Sequence, residues 1–172
     1  MSDDNNSFPE MLSDQAWRNA KPDAHFFEAT YSGALSFLRR PYSRDFSSAD
    51  VAVTGIPFDG AVTYRPGCRL GPRAIRAASV QLAELPAFPF GFVLADILNV
   101  IDAGDVGLNP HDPATIFNDI YHHAKSIIAT GTKMLSFGGD HYVAYPLIKA
   151  HAEAYGPIAL LQFDAHSDTW DS

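Results

Sequence analysis

Two acidic, histidine-containing motifs lie close together in the second half of the sequence. The second motif, Asp164-Ala-His-Ser-Asp168, follows an apolar run. In extended backbone, alternate side chains point the same way, so Asp164, His166 and Asp168 are expected to converge on one side. Two carboxylates and an imidazole form a cation site suited to Mn²⁺, Fe²⁺ or Zn²⁺. The alternative interpretation is a capped strand end followed by an acidic turn.

The first motif, Gly138-Gly-Asp-His141, offers another imidazole. Its two glycines follow an apolar run, at a point where the backbone must turn tightly and approach its neighbours closely. His141 is a candidate ligand from the adjacent strand end. Alternatively, His141 and Asp140 only cap the next helix. The occurrence of both motifs at consecutive strand ends favours metal binding.

Short apolar runs alternate with helical patterns, and these predict the elements that position the motifs. Four runs are predicted to be buried parallel strands: Val51–Thr54, Ile97–Ile101, Lys133–Phe137 and Ile158–Phe163. Three helices are predicted between them: one opened by Gly71-Pro72 and running through Ile75, Ala78 and Leu82, one from the N-cap Asp112 to Gly131, and one from Tyr142 to Tyr155. This alternation predicts an α/β fold with a parallel sheet, in which ligands gather at the carboxyl ends of the strands. Asp102 and Asp105 follow the second run and are interpreted as structural rather than as part of the site rim.

The first fifty residues differ in composition from the rest of the chain. They contain scattered prolines and aromatic residues and show no sustained periodic spacing of apolar residues. They are predicted to form an arm packed on the core or on a neighbouring subunit, with the first few residues disordered.

Composition excludes several classes of partner. The formal net charge is −8, which makes nucleic acid and anionic membranes poor partners and favours a cationic ligand. The single cysteine, Cys68, cannot form an internal disulfide, which suits a reducing compartment. Neither a signal peptide nor an apolar run of transmembrane length is evident, so a cytoplasmic protein is expected.

The motifs together resemble those of the ureohydrolases, the arginase–agmatinase superfamily, and are closer to its agmatinase branch than to arginase proper. The resemblance covers about residues 50 to 172 and is carried by four segments: Gly55–Asp59, Arg65–Pro72, Phe137–His141 and Phe163–Asp168. It implies a three-layer α/β/α fold with a mostly parallel sheet, incomplete in this chain. Residues 1–50 would then be an N-terminal arm, and residues 51–172 the N-terminal part of the α/β domain.

The resemblance also implies a pair of Mn²⁺ ions bridged by hydroxide. His141 and Asp168 would bind one manganese, His166 would bind the other, and Asp164 would bridge both. The implied reaction is hydrolysis of a guanidinium group, with agmatine giving putrescine and urea. No residue of this chain is assigned a catalytic role beyond the metal ligands, and a homo-oligomer is implied.

One departure from the family pattern affects the expected activity. The family needs a later Asp-x-Asp motif, a histidine for proton transfer and a downstream glutamate, and none of these precedes Ser172. We therefore expect the chain to be the N-terminal half of a longer enzyme and to be inactive alone. Guanidinobutyrase or guanidinopropionase activity is the alternative within the family. The non-enzymatic alternative is an inactive truncated homologue that acts only as an oligomer partner.

Overall fold

The computed structural model describes residues 30–83 and 85–168, and within them three parallel strands form one sheet. The strands are β1 (Val51–Ile56), β2 (Val100–Asp105) and β3 (Lys133–Gly138), in the order β2-β1-β3. Both outer strands pair in parallel with β1. The central strand is the most buried, since Ala52, Val53 and Thr54 have no exposed surface. The predicted parallel sheet is confirmed, with β2 beginning three residues later than expected.

Three helices cover the sheet, as the sequence predicts. They are α1 (Gly71–Ser79), α2 (Ile116–Ile128) and α3 (Ala144–Tyr155). Short 3₁₀ turns, Pro113–Thr115 and His141–Val143, precede α2 and α3, so both α-helices begin later than predicted. Asp112 accepts a hydrogen bond from the N–H of Ala114, which is the capping role expected of it.

The helices lie on both faces of the sheet, because alternate side chains of β1 point in opposite directions. Ala52 packs against Ile127 of α2, and Ile56 packs in a cluster with other residues of α2. On the other face, a Cβ added to Gly55 would lie 2.8 Å from the Cβ of Pro72 in α1. α3 packs mainly against α2. The described residues thus form the three layers of an α/β/α fold.

The buried face of α1 is not formed by its large apolar residues. Ile75 and Leu82 are 40% and 59% exposed, whereas Arg76 is buried. The Arg76 guanidinium donates from Nε to Oδ2 of Asp102 at 2.8 Å and from Nη1 to Oδ1 of Asp105 at 2.6 Å. Asp102 has no exposed surface, and a carboxylate buried in this way needs a cation, which α1 supplies. The interpretation of Asp102 and Asp105 as structural agrees with these contacts.

The fourth predicted strand is wrong. Residues 157–163 form no strand and pair with no other strand of the described chain. Leu160, Leu161 and Phe163 are 62%, 79% and 92% exposed. An apolar run becomes a strand only when a neighbour satisfies its backbone groups and a packed layer covers its side chains. No described residue supplies either.

The described part of the predicted arm, residues 30–50, lies against the sheet. The N–H of Phe37 donates to Oδ2 of Asp102 at 2.8 Å, and Phe46 and Ala49 pack on the cluster around Ala52. Residues 1–29, with the predicted disordered start, lie outside the described residues. Among the residues that are described, no helix is long and apolar enough to span a membrane.

Candidate metal centre

Three of the four predicted ligands come together beyond the carboxyl end of β3. One ligand atom from each of His141, Asp164 and Asp168 can be chosen so that all three lie within 4.8 Å of one another. His141 contributes from the turn after β3, and its Nε2 lies 2.9 Å from Oδ2 of Asp168. All three side chains reach solvent, so a cation has direct access to them.

The donor set fits a divalent transition metal. Metal–ligand bonds to imidazole nitrogen and carboxylate oxygen are about 2 Å long, so two ligands of one ion lie at most about 4 Å apart. The observed cluster, whose ligand atoms lie within 4.8 Å of one another, is close to this size. One imidazole with two carboxylates suits Mn²⁺, Fe²⁺ or Zn²⁺ better than Ca²⁺, which takes oxygen ligands.

Local electrostatics keep Asp164 in its charged form. The backbone N–H of His166 donates to Oδ1 of Asp164 at 3.0 Å. This hydrogen bond, with a smaller contribution from the charge of His141, lowers the pKa of Asp164 below its ordinary value. Asp164 is therefore a carboxylate at neutral pH, as an anionic metal ligand must be.

His166 lies outside the cluster of three. Its side chain is 82% exposed, and its Nδ1 is 3.8 Å from Oδ1 of Asp164. The backbone bends at Ala165 and His166, and Asp168 has a left-handed φ of 51°. The expected alternation along an extended strand is therefore wrong for this segment, although Asp164 and Asp168 still lie close together. The metal-binding roles of all four residues remain predictions.

Asp140 caps the turn that carries His141. Its Oδ1 accepts a hydrogen bond from the N–H of Tyr142 at 3.1 Å. Its Oδ2 accepts from the N–H of Ala61 at 2.7 Å, in the loop that follows β1. The capping alternative for Asp140 is thus correct, and it is compatible with a ligand role for the next residue. The contact with Ala61 was not predicted, because nothing local links two residues 79 positions apart.

A second buried carboxylate, Asp59, holds the far end of the same loop. Its Oδ2 accepts from the N–H of Gly67 at 2.7 Å, and its Oδ1 accepts from Nε of Arg69 at 2.5 Å. The Arg69 guanidinium is the main cause that lowers the pKa of Asp59 to about 2. Arg69 is therefore ion-paired with Asp59 in the structure.

Known proteins resemble this chain in sequence and in fold. An arginase family model matches residues 49–172. The agmatinases of Chromobacterium violaceum and Serratia proteamaculans are 61% and 46% identical to this chain, over 83% and 81% of its length. A crystal structure of a hypothetical agmatinase from Burkholderia thailandensis matches 92% of the chain with a TM-score of 0.85 and 51% identity. Proclavaminate amidino hydrolase from Streptomyces clavuligerus matches 83% with a TM-score of 0.73 and 34% identity.

The chain spans about half the length of these relatives. The matched part is 45% and 46% of the two agmatinases, and 51% and 47% of the two solved chains. The family model nevertheless covers both motifs that meet beyond β3. The chain belongs to the arginase family.

Proposed function

We propose that this chain contributes its part of the metal centre to an agmatinase-type ureohydrolase, which hydrolyses agmatine to putrescine and urea and uses two Mn²⁺ ions per complete subunit. The observation that carries the proposal is the cluster of His141, Asp164 and Asp168. The 61% identity to an agmatinase supports the choice of substrate.

The chemistry requires a strong nucleophile, because a guanidinium carbon is a poor electrophile. When bound, divalent cations supply the positive charge that makes water nucleophilic near neutral pH. His141, Asp164 and Asp168 would hold such an ion, and by resemblance His166 would join them. The carboxylates would also balance the charge of the ions and of a cationic substrate.

A second candidate is hydrolysis of a guanidino acid, such as guanidinobutyrate. The 34% identity to proclavaminate amidino hydrolase favours it. A substrate carboxylate needs a cationic partner, and Arg69 already pairs with Asp59. The net charge of −8 also attracts a cationic substrate more strongly than an anionic one. Agmatine is therefore the preferred substrate.

The cellular setting is part of the same proposal. The single cysteine suits the reducing cytoplasm, and a homo-oligomer is expected by resemblance. Neither nucleic acid nor membrane is expected as a partner, because the chain carries an excess of negative charge.

A chimera tests the activity directly. This chain replaces the matching 45% of the Chromobacterium violaceum agmatinase, and urea release is measured with agmatine and with guanidinobutyrate in the presence of Mn²⁺. Turnover of agmatine that is lost in Asp168→Asn and retained in His122→Ala supports the proposal, since His122 is an exposed imidazole on α2. Preference for guanidinobutyrate would favour the second candidate. A folded chimera with no turnover would favour an inactive oligomer partner.

The chain alone is expected to release no urea from agmatine. Reading the coding sequence for the second pair of aspartates that the family resemblance implies tests whether such ligands exist. Measurable turnover by a monodisperse 172-residue monomer would contradict this expectation and would mean that the catalytic centre lies elsewhere.

A further inference from the structure

Asp140, the residue before His141, lies where two loops meet. It is only 8% exposed, and its N–H donates to the carbonyl of Phe58 at 2.8 Å. Its two carboxylate oxygens accept hydrogen bonds from different segments, one from Tyr142 and one from Ala61. One buried side chain therefore joins the turn that carries a predicted metal ligand to the loop after β1.

The backbone around this junction has no spare room. A Cβ added to Gly139 would lie 2.2 Å from the carbonyl oxygen of Phe58 and 2.7 Å from that of Ile56. The rings of Phe58 and Tyr142 are in contact, with centroids 5.7 Å apart. The two loops are thus fixed relative to each other by main-chain contact, and Asp140 closes the junction with hydrogen bonds on both sides.

The position of His141 depends on this junction. Its side chain is 57% exposed, and its Nε2 contacts Oδ2 of Asp168 at 2.9 Å. Its backbone lies between Asp140 and Tyr142, which are joined by the capping hydrogen bond. The direction of the imidazole therefore depends on the backbone that Asp140 holds as well as on its contact with Asp168.

We propose that Asp140 is a positioning residue for the metal centre. Its carboxylate fixes the backbone of His141 against the loop after β1, so that the imidazole is directed towards Asp164 and Asp168 before an ion arrives. This proposal rests on the proposed metal-binding function. Residues outside the ligand set that orient ligands in this way reduce the conformational cost of binding the metal.

Asp59 provides a matched control. It is a carboxylate buried to a similar degree, at 3% exposure, and it accepts a backbone N–H from Gly67 of the same loop. It contacts no residue of the turn that carries His141 in the hydrogen bonds of the described chain. Asp59→Asn therefore removes a buried charge and a loop contact without touching the proposed positioning role.

Mn²⁺ affinity, measured by calorimetric titration of the folded chain, separates these roles. Asp140→Asn is expected to weaken Mn²⁺ binding about 10-fold, at the lower end of the effect seen for residues that orient metal ligands. Asp59→Asn is expected to leave it within about twofold of the unmodified chain. In a His141→Ala background, Asp140→Asn should have no further effect, because the residue it positions is gone. The proposal would be overturned if Asp140→Asn weakened Mn²⁺ binding as much in the His141→Ala background as in the unmodified chain, or if Asp59→Asn weakened Mn²⁺ binding as much as Asp140→Asn does.

A metal-free measurement keeps this proposal distinct from the proposed function. By NMR, Asp140→Asn should shift the imidazole resonances of His141 and speed hydrogen exchange of the Ala61 amide, whereas Asp59→Asn should leave the His141 resonances unchanged. If the unmodified chain binds no Mn²⁺, metal binding by this chain fails, and the NMR result still decides the positioning role. Unchanged His141 resonances in Asp140→Asn would refute it.

A second variant covers the case in which Asp140→Asn does not fold. Asp140→Ser keeps a good capping side chain for Tyr142 but is too short to reach Ala61. It should still shift the His141 resonances and speed exchange at Ala61. A folded Asp140→Ser chain with unchanged His141 resonances would contradict the proposal.

Discussion

The substitution Gly139→Ala tests the close approach of the two loops beside the metal centre. The new Cβ would lie 2.2 Å from the carbonyl oxygen of Phe58, 2.7 Å from that of Ile56 and 3.1 Å from the nitrogen of Phe58. All three are backbone atoms, which cannot move aside as a flexible side chain can. The loops must therefore separate, and the 2.8 Å hydrogen bond from Asp140 to Phe58 would be strained or lost.

The expected loss of stability follows from these contacts. Overpacking costs typically 1–3 kcal/mol and a hydrogen bond contributes about 1 kcal/mol, so we expect a loss of about 2–4 kcal/mol in the free energy of unfolding. For a chain of this size that corresponds to a fall of roughly 5–15 °C in Tm. Urea denaturation followed by circular dichroism measures the free energy, and a thermal melt measures Tm.

Gly107→Ala is the matched control. A Cβ at Gly107 would meet no atom within 4 Å, and its backbone is not left-handed. This variant should therefore unfold within about 0.5 kcal/mol of the unmodified chain, as surface substitutions usually do. A Gly139→Ala variant equally close to the unmodified chain would refute the close approach of the two loops.

Three further predictions concern the buried ion pair of Arg76, the pH dependence of stability and the predicted metal ligand His141. Arg76→Met leaves Asp102 buried without its cation and should cost about 3–5 kcal/mol by urea unfolding; a loss below about 1 kcal/mol would contradict the pairing. Burial, and then the charge of Arg44, lower the pKa of His123 in the folded chain. As pH falls, His123 of the unfolded chain is therefore protonated at a higher pH than His123 of the folded chain. The contribution of His123 to the free energy of unfolding should be complete above about pH 6.5 and decrease on acidification. His123→Gln should make the free energy of unfolding less dependent on pH below that value, and an unchanged pH dependence would refute this prediction. His141→Ala should leave the fold intact and weaken Mn²⁺ binding by titration, whereas unchanged binding would leave His141 outside the metal centre.

Local signals predicted most of the fold. The strands β1 and β3 are short apolar runs, and α2 combines a capping Asp112 with an apolar stripe, so each was visible within a few residues. The buried face of α1 could not be predicted in this way. Arginine is ordinarily a surface residue, and Arg76 is buried only because it pairs with Asp102, which is distant in sequence. The segment after α3 was misassigned because its apolar run fits a strand, while pairing depends on neighbours that are distant in sequence.

The candidate site was predicted in a similar way. The rule that ligands gather at carboxyl ends of parallel strands predicted His141 near Asp164 and Asp168, and the structure brings the three residues together although no strand precedes Asp164. The alternation argument placed His166 in the same group, and it failed because the backbone bends at that residue. The contact of Asp140 with Ala61 depends on tertiary packing alone, so no sequence pattern could indicate it.

The Mn²⁺ content of the purified chain tests the central claim most directly. After dialysis against Mn²⁺ and removal of free metal, bound manganese is measured by elemental analysis for the unmodified chain, Asp164→Asn, Asp168→Asn and His122→Ala. We expect the unmodified chain and His122→Ala to retain the same amount of manganese and both aspartate variants to lose most of it, because each loses an anionic ligand of the cluster. Equal manganese in all four proteins would contradict the assignment of His141, Asp164 and Asp168 as a metal centre.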